Sequence, residues 1–85
     1  MFNIKPPFKL AIASSFLDGA ARDSSEVMTV MKKDYEGEKL FTQNGIDMNL
    51  QSLKAVGILK IASENATHIS YEITEYGRQR VQKAL

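Results

Sequence analysis

The chain has 85 residues, of which 44% are hydrophobic and 25% charged. This composition is typical of one small globular domain and excludes a disordered or fibrous protein. The formal net charge of +1 excludes strong electrostatic steering by the molecule as a whole, and the absence of cysteine excludes disulfides and thiolate metal sites. We therefore expect a single domain over residues 1–85, in a reducing cytoplasm.

The first predicted helix lies near the N-terminus. Phe8, Ile12 and Phe16 are spaced four residues apart and form one apolar face of a helix that ends near Asp18. Serines at residues 14–15 interrupt the apolar run, so we interpret it as a core helix rather than a signal peptide. No run approaches the roughly 20 apolar residues of a membrane span.

The second predicted helix begins at a capping box. Asp23 is an N-cap acceptor, and Glu26 stands three residues later, in the reciprocal position. Gly37 ends the helix. Its apolar stripe consists of Val27, Met31 and Tyr35.

A connector leads to the third predicted helix. We expect either a short strand over residues 39–41, where Leu and Phe are adjacent, or an extra turn of helix. Ile46, Leu50 and Leu53 then follow at helical spacing, and Gly57 is the expected C-terminal cap.

A hairpin and a last helix complete the chain. The apolar residues 58–61 form the first predicted strand, and residues 69–74 alternate as a half-buried second strand in which Tyr71 and Ile73 point to the core. Thr74 is the expected cap of the last helix, and Gly77 predicts close packing of that helix against the hairpin. The last helix is expected to turn Val81, Ala84 and Leu85 inward.

The element order defines the fold class. Three helices, a two-stranded hairpin and a C-terminal helix make a mostly helical α+β fold, in the order of a winged helix. Two stretches strengthen this interpretation: LKAVGILKI at residues 53–61 and YEITEYGR at residues 71–78. They resemble the second half of winged-helix regulators of the multiple-antibiotic-resistance and phenolic-acid-decarboxylase repressor types. The resemblance implies that the third helix reads DNA and that the hairpin is a wing.

The candidate DNA-binding residues lie on the outward face of the third helix and on the wing. With about 100° per residue, the face opposite the apolar stripe centres on Met48, Gln51 and Ala55. Amide and hydroxyl side chains there are suited to base contacts, and the lysines to phosphates. The candidate DNA-binding set is Asn44, Asp47, Met48, Gln51, Ser52, Lys54, Lys60, Asn65 and Thr67.

The charge of this region leaves a second function open. Residues 43–70 contain two bases, Lys54 and Lys60, and two acids, Asp47 and Glu64. Phosphate contacts need lysine or arginine, so a neutral third helix also fits a winged-helix module that binds another protein instead of DNA. Double-stranded DNA and a protein partner are therefore the two alternatives.

Catalysis, a metal site and a cofactor are not expected. The single histidine, His68, is predicted to face solvent, and the sequence has no second His or Cys and no glycine-rich phosphate loop. We also expect a homodimer. The core of an 85-residue chain is too small to bury the apolar residues at both ends of the chain, and a dimer interface would cover them. The predicted dimer contacts are Met1, Phe2 and Ile4 in an N-terminal arm, with Val81, Ala84 and Leu85 in the last helix.

Overall fold

The computed structural model describes residues 6–85. Three helices come first, then an antiparallel hairpin, then a last helix. This order confirms the mostly helical α+β fold with a wing after the third helix. The helices are α1 (Phe8–Ser14), α2 (Ser24–Tyr35), α3 (Gln43–Ala55) and α4 (Glu75–Ala84), and the strands are β1 (Leu59–Glu64) and β2 (Ile69–Ile73).

One apolar core joins the helices to the base of the hairpin. It contains the predicted stripes of the first three helices except Phe8, which is half-buried and packs against the core, and none of the described polar or charged residues is buried in it. Each element is amphipathic, so burying these stripes against one another removes the apolar surface from water. The largest fully buried side chains are Phe16, Ile12, Ile46, Leu50, Leu59, Val27 and Val81.

Helix α1 ends earlier than the sequence predicted. The Ser14 hydroxyl donates to the Ala11 carbonyl at 2.9 Å, and the Ser15 hydroxyl donates to the Ile12 carbonyl at 2.6 Å. These side chains compete for the carbonyls that would continue the helix. Residues 15–17 consequently continue as a tighter turn, with backbone bonds that span three residues.

The predicted strand at residues 39–41 is wrong. The Thr42 amide donates to the Leu40 carbonyl at 2.8 Å, so the backbone there folds into a tight turn. Helix α3 begins directly against this turn: a Cβ built on Gly45 would lie 2.3 Å from the Leu40 oxygen. The Thr42 hydroxyl accepts from the Gly45 amide at 2.9 Å and caps α3.

The wing is anchored at its base. Leu59 pairs with Ile73 and Ile61 with Tyr71, in antiparallel register. Arg22, just before α2, adds a single-residue bridge to the hairpin: its amide donates to the Tyr71 carbonyl at 2.9 Å, and its carbonyl accepts from the Tyr71 amide at 2.8 Å. Backbone bonds therefore hold the wing to the segment between α1 and α2.

The outer part of the wing differs from the prediction. Strand β1 continues beyond residue 61 to Glu64, with a register shift between Ile61 and Ser63. The turn is correspondingly shorter than predicted, because the Asn65 amide closes it on the His68 carbonyl at 2.9 Å. A bulge adds a residue to one strand and allows the pairing to continue past it.

The C-terminal helix is only partly inward-facing. Val81 is buried as predicted, but Ala84 is exposed and Leu85 keeps 63% of its surface exposed. The prediction that Ala84 and Leu85 pack into this core is wrong, because α4 extends past it after Val81. Within residues 6–85, no helix has the length and apolar character needed to cross a membrane.

Candidate nucleic-acid interface

Helix α3 is held firmly from one side. Ile46 and Leu50 are fully buried, and Leu53 keeps only 2% of its surface exposed. The helix ends at Ala55, Gly57 follows it with a positive φ of 84°, and the Ile58 amide donates back to the Leu53 carbonyl at 2.9 Å. This left-handed glycine cap sends the chain directly into the wing. The opposite face of α3 is consequently presented to solvent in a fixed orientation.

The exposed face of α3 forms what we call the recognition ridge: Asn44, Met48, Gln51 and Ala55. All four are exposed, and Met48 keeps 62% of its surface open. The Asn44 amide group lies 3.6 Å from the Met48 sulfur, one helical turn along. Gln51 follows Asn44 by seven residue steps, which span about 10.5 Å along the helix. The ridge therefore presents two amide side chains about two turns apart, with an apolar side chain between them.

Two of the predicted contact residues flank the ridge rather than form it. Asp47 is half-buried, and the Gln43 side chain donates to it at 3.4 Å and to the Ser24 hydroxyl at 2.5 Å. Asp47 therefore lies toward the start of α2. Ser52 is also half-buried and accepts from the Lys9 ammonium at 2.8 Å.

The two predicted phosphate-binding lysines differ in their surroundings. Lys54 is exposed on α3 and forms no ion pair with any residue in 6–85. Lys60 on β1 lies 3.5 Å from the Glu72 carboxylate, across the hairpin. Both members of this pair are partly exposed, so the attraction is weak and leaves Lys60 able to exchange partners.

The wing turn has a fixed shape. The side-chain oxygen of Asn65 accepts hydrogen bonds from the backbone amides of Thr67 and His68, both at 2.9 Å. Thr67 in turn places its hydroxyl 2.9 Å from His68 Nδ1. Asn65 and Thr67 remain exposed. His68 is exposed as well, as the alternation of the second strand predicted. The turn thus offers polar groups, but it carries no arginine for a minor groove.

A cleft separates α3 from the wing. Two adjoining cavities of about 330 and 440 Å³ share Gln51, Ile69 and Tyr71 as walls, and we call them together the α3–wing cleft. The first continues toward Asp47 and His68, and the second toward Lys54, Ile61 and Glu64. Ile69 is 37% exposed because it lines this cleft rather than the core. Sequence reasoning missed the cleft, since alternation along β2 placed Ile69 simply on the buried face.

Tyr71 forms the floor of the cleft. The residue is 7% exposed, and its hydroxyl has no hydrogen-bond partner in residues 6–85. Burial raises the pKa of the Tyr71 phenol, and the negative charges of Asp47 and Glu64 raise that pKa further.

Comparison with protein-family models, with curated proteins and with solved structures found no match for this chain.

Proposed function

We propose that the protein binds double-stranded DNA as a transcriptional regulator, with the recognition ridge of α3 in the major groove. One observation carries this proposal: α3 buries one face completely and presents Asn44, Met48 and Gln51 on the other, beside a hairpin wing. A recognition helix beside a wing is a recurrent arrangement for reading base edges. The resemblance of residues 53–61 and 71–78 to winged-helix regulators supports the same function.

The side chains of the ridge suit base recognition. Asn44 and Gln51 each carry a donor and an acceptor, which can pair with the N6 and N7 positions of adenine. Their separation of about 10.5 Å along α3 corresponds to about three base pairs at 3.4 Å per step. Met48, between them, offers an apolar contact of the kind that a thymine methyl group makes.

The affinity of the monomer is expected to be modest. Phosphate contacts supply most nonspecific affinity, and the proposed interface has only Lys54 and Lys60 for this purpose. Asn65 and Thr67 at the wing turn add neutral donors to the DNA backbone. We therefore expect the ridge to supply the sequence preference and the positive charge of the interface to contribute little affinity.

Titration of a fluorescently labelled random-sequence duplex tests the proposal directly. We expect binding at about micromolar concentrations in about 50 mM salt, and clear weakening at about 200 mM salt, because bound lysines release counterions. The absence of any anisotropy change in about 50 mM salt, at protein concentrations up to about 100 µM, would rule out DNA as the partner.

A protein partner is the second candidate function. The α3–wing cleft carries Asp47 and Glu64, which repel phosphates, and Met48 is an exposed adaptable side chain suited to protein contacts. In this alternative the same ridge docks on a protein, and the duplex titration shows no binding. Neither candidate function involves catalysis.

We also propose that the protein forms a homodimer. An apolar groove of about 330 Å³ between α1 and α4 includes Leu10, Ile58 and Ala84, and Leu85 is exposed at the end of α4. The predicted arm residues Met1, Phe2 and Ile4 lie outside the described residues. A dimer would double the phosphate contacts and read two half-sites.

Sedimentation equilibrium should give about twice the 9.5 kDa chain mass. A single species of 9.5 kDa at high concentration would contradict the dimer.

We place the protein in the cytoplasm as part of the proposal, because a regulator must reach DNA there and the chain has no cysteine to suit an oxidising compartment.

A further inference from the structure

The side chain of Tyr71 forms the floor of the α3–wing cleft. Tyr71 keeps only 7% of its surface exposed, and its hydroxyl makes no hydrogen bond within residues 6–85. No fully buried side-chain oxygen of the described residues lacks a partner, so this hydroxyl opens into the cleft instead of being sealed in the core. The phenol oxygen can accept a hydrogen bond and its O–H can donate one, so a ligand in the cleft can bond to it in either direction.

The charge around the hydroxyl favours a cation. Asp47 lies at one cavity of the cleft and Glu64 at the other, and neither forms an ion pair within residues 6–85. Lys54 is the only lysine or arginine among the residues that line the two cavities. Asp23 also lines the first cavity, but its side chain is occupied in capping α2. Asp47 accepts from the neutral Gln43 amide at 3.4 Å, which leaves its charge in place, so the two carboxylates outnumber the single ammonium group of Lys54.

The remaining walls are apolar. Ile61 and Ile69 line the outer part of the cleft, beside the Tyr71 ring. Their side chains are partly buried and project from the face of the hairpin that is turned toward α3. An apolar body would cover these side chains, while a charged end would lie near the carboxylates. The two cavities, about 330 and 440 Å³, fall in the range of small-molecule sites.

We propose that the α3–wing cleft binds a small organic cation, an ammonium group on a short apolar body. The ammonium donates to the Tyr71 hydroxyl and lies near Asp47 and Glu64, and the apolar body packs on Ile61 and Ile69. Nothing in this inference requires that the protein bind DNA.

Amide NMR shifts of the ¹⁵N-labelled full chain test the proposal with a matched pair of probes. Phenethylammonium carries the charge, and 2-phenylethanol has the same shape without it. We expect saturable shifts with phenethylammonium at Asp47, Gln51 and Ile69, with a dissociation constant of about 1 mM. The alcohol should bind several-fold more weakly. Equal shifts with both probes, or no saturable shift with the ammonium up to about 10 mM, would overturn the proposal.

Three variants locate the site. Asp47→Asn, Glu64→Gln and Tyr71→Phe each preserve side-chain size, and each should weaken phenethylammonium binding about threefold or more. Glu72→Gln is the matched control, because it removes a carboxylate from the same hairpin, and that carboxylate pairs with Lys60 instead of lining the cleft. The proposal fails if the three cleft variants bind like the wild type, or if Glu72→Gln weakens binding equally. Amide spectra of each variant without ligand establish that the fold is retained.

Discussion

Gly77, in the first turn of α4, lies directly against the backbone of Ile58 at the start of the wing. A Cβ built on Gly77 would approach the Ile58 oxygen to 2.1 Å. The Ile58 oxygen also accepts from the Thr74 amide at 3.0 Å and from the Thr74 hydroxyl at 3.1 Å. The Thr74 hydroxyl oxygen in turn accepts from the Gly77 amide at 2.8 Å. The predicted close approach of α4 to the hairpin is thus confirmed, and it depends on the missing side chain.

Gly77→Ala should destabilise the protein. Alanine gains up to about 1 kcal/mol in helix propensity, but the clash with the Ile58 carbonyl has to be relieved by a backbone shift. We expect a net loss of about 1–3 kcal/mol in the free energy of unfolding, measured by urea denaturation. Gln82→Ala, at an exposed position of the same helix, is the control and should change stability by less than about 0.5 kcal/mol. A neutral or stabilising Gly77→Ala would show that the two backbones are not in contact.

The two isoleucines of β2 should respond differently to truncation. Ile73 is 9% exposed at the base of the wing, whereas Ile69 is 37% exposed near its tip. Ile73→Ala should cost about 2–5 kcal/mol, because it leaves a cavity in the core. Ile69→Ala should cost under about 1 kcal/mol, because the lost contacts border solvent. Equal losses of stability in the two variants, measured by thermal or urea denaturation, would contradict the placement of Ile73 in the core and Ile69 at the cleft.

The Asp18–Arg22 ion pair should make a pH-dependent contribution to stability. The Arg22 guanidinium donates to Asp18 through both terminal nitrogens, at 2.5 and 3.0 Å, and lowers the carboxyl pKa from 3.8 to about 2. A lowered pKa in the folded state means that the contribution is present above pH 3.8 and is lost as the pH falls toward 2.

Asp18→Asn tests this contribution in urea titrations at several pH values. The variant should be less stable than the wild type at neutral pH, by a small amount because Asp18 is solvent-exposed. The difference should shrink as the wild-type carboxyl is protonated below pH 3.8. A difference that is constant from pH 7 to pH 2 would show that the charge of Asp18 is not its cause.

Two lysines allow a test of the proposed DNA-binding face. Lys54 lies beside the recognition ridge, and Lys83 lies in the last turn of α4. Lys54→Gln should weaken binding to random duplex DNA and reduce the slope of log affinity against log salt by about one. Lys83→Gln removes the same charge and should leave the slope unchanged. If the two variants lower the slope equally, binding follows the overall charge, and α3 is not the interface.

Local signals sufficed for most of the secondary structure. The capping box of Asp23 and Glu26 is present with both hydrogen bonds, and Thr74 caps α4 as predicted. Gly57 has the left-handed conformation expected of a C-terminal glycine. These features depend on residues within a few positions of one another, so their chemistry is readable directly from the sequence.

The errors occurred where distant contacts or competing local bonds decide the outcome. Leu40 and Phe41 have strand-like composition, but no strand lies beside them, and the start of α3 at Gly45 packs against their turn. Leu85 continues an apolar pattern, yet it passes beyond the core. Apolar character predicts that a residue tends to be buried, but only the arrangement of the other elements decides whether a surface is there to bury it.

The sequence by itself determined the order of helices and strands, the caps that end them and the apolar faces that join them. The outward position of Met48 and Gln51 on α3 also followed from helical spacing, whereas tertiary structure alone decided that Asp47 turns toward α2. It also decided that Tyr71 lies between two cavities of one cleft, with Asp47 lining one cavity and Glu64 the other. The physical reason is range: caps and helical stripes act over a few residues, whereas a cleft exists only once α3 and the wing have packed on a common core.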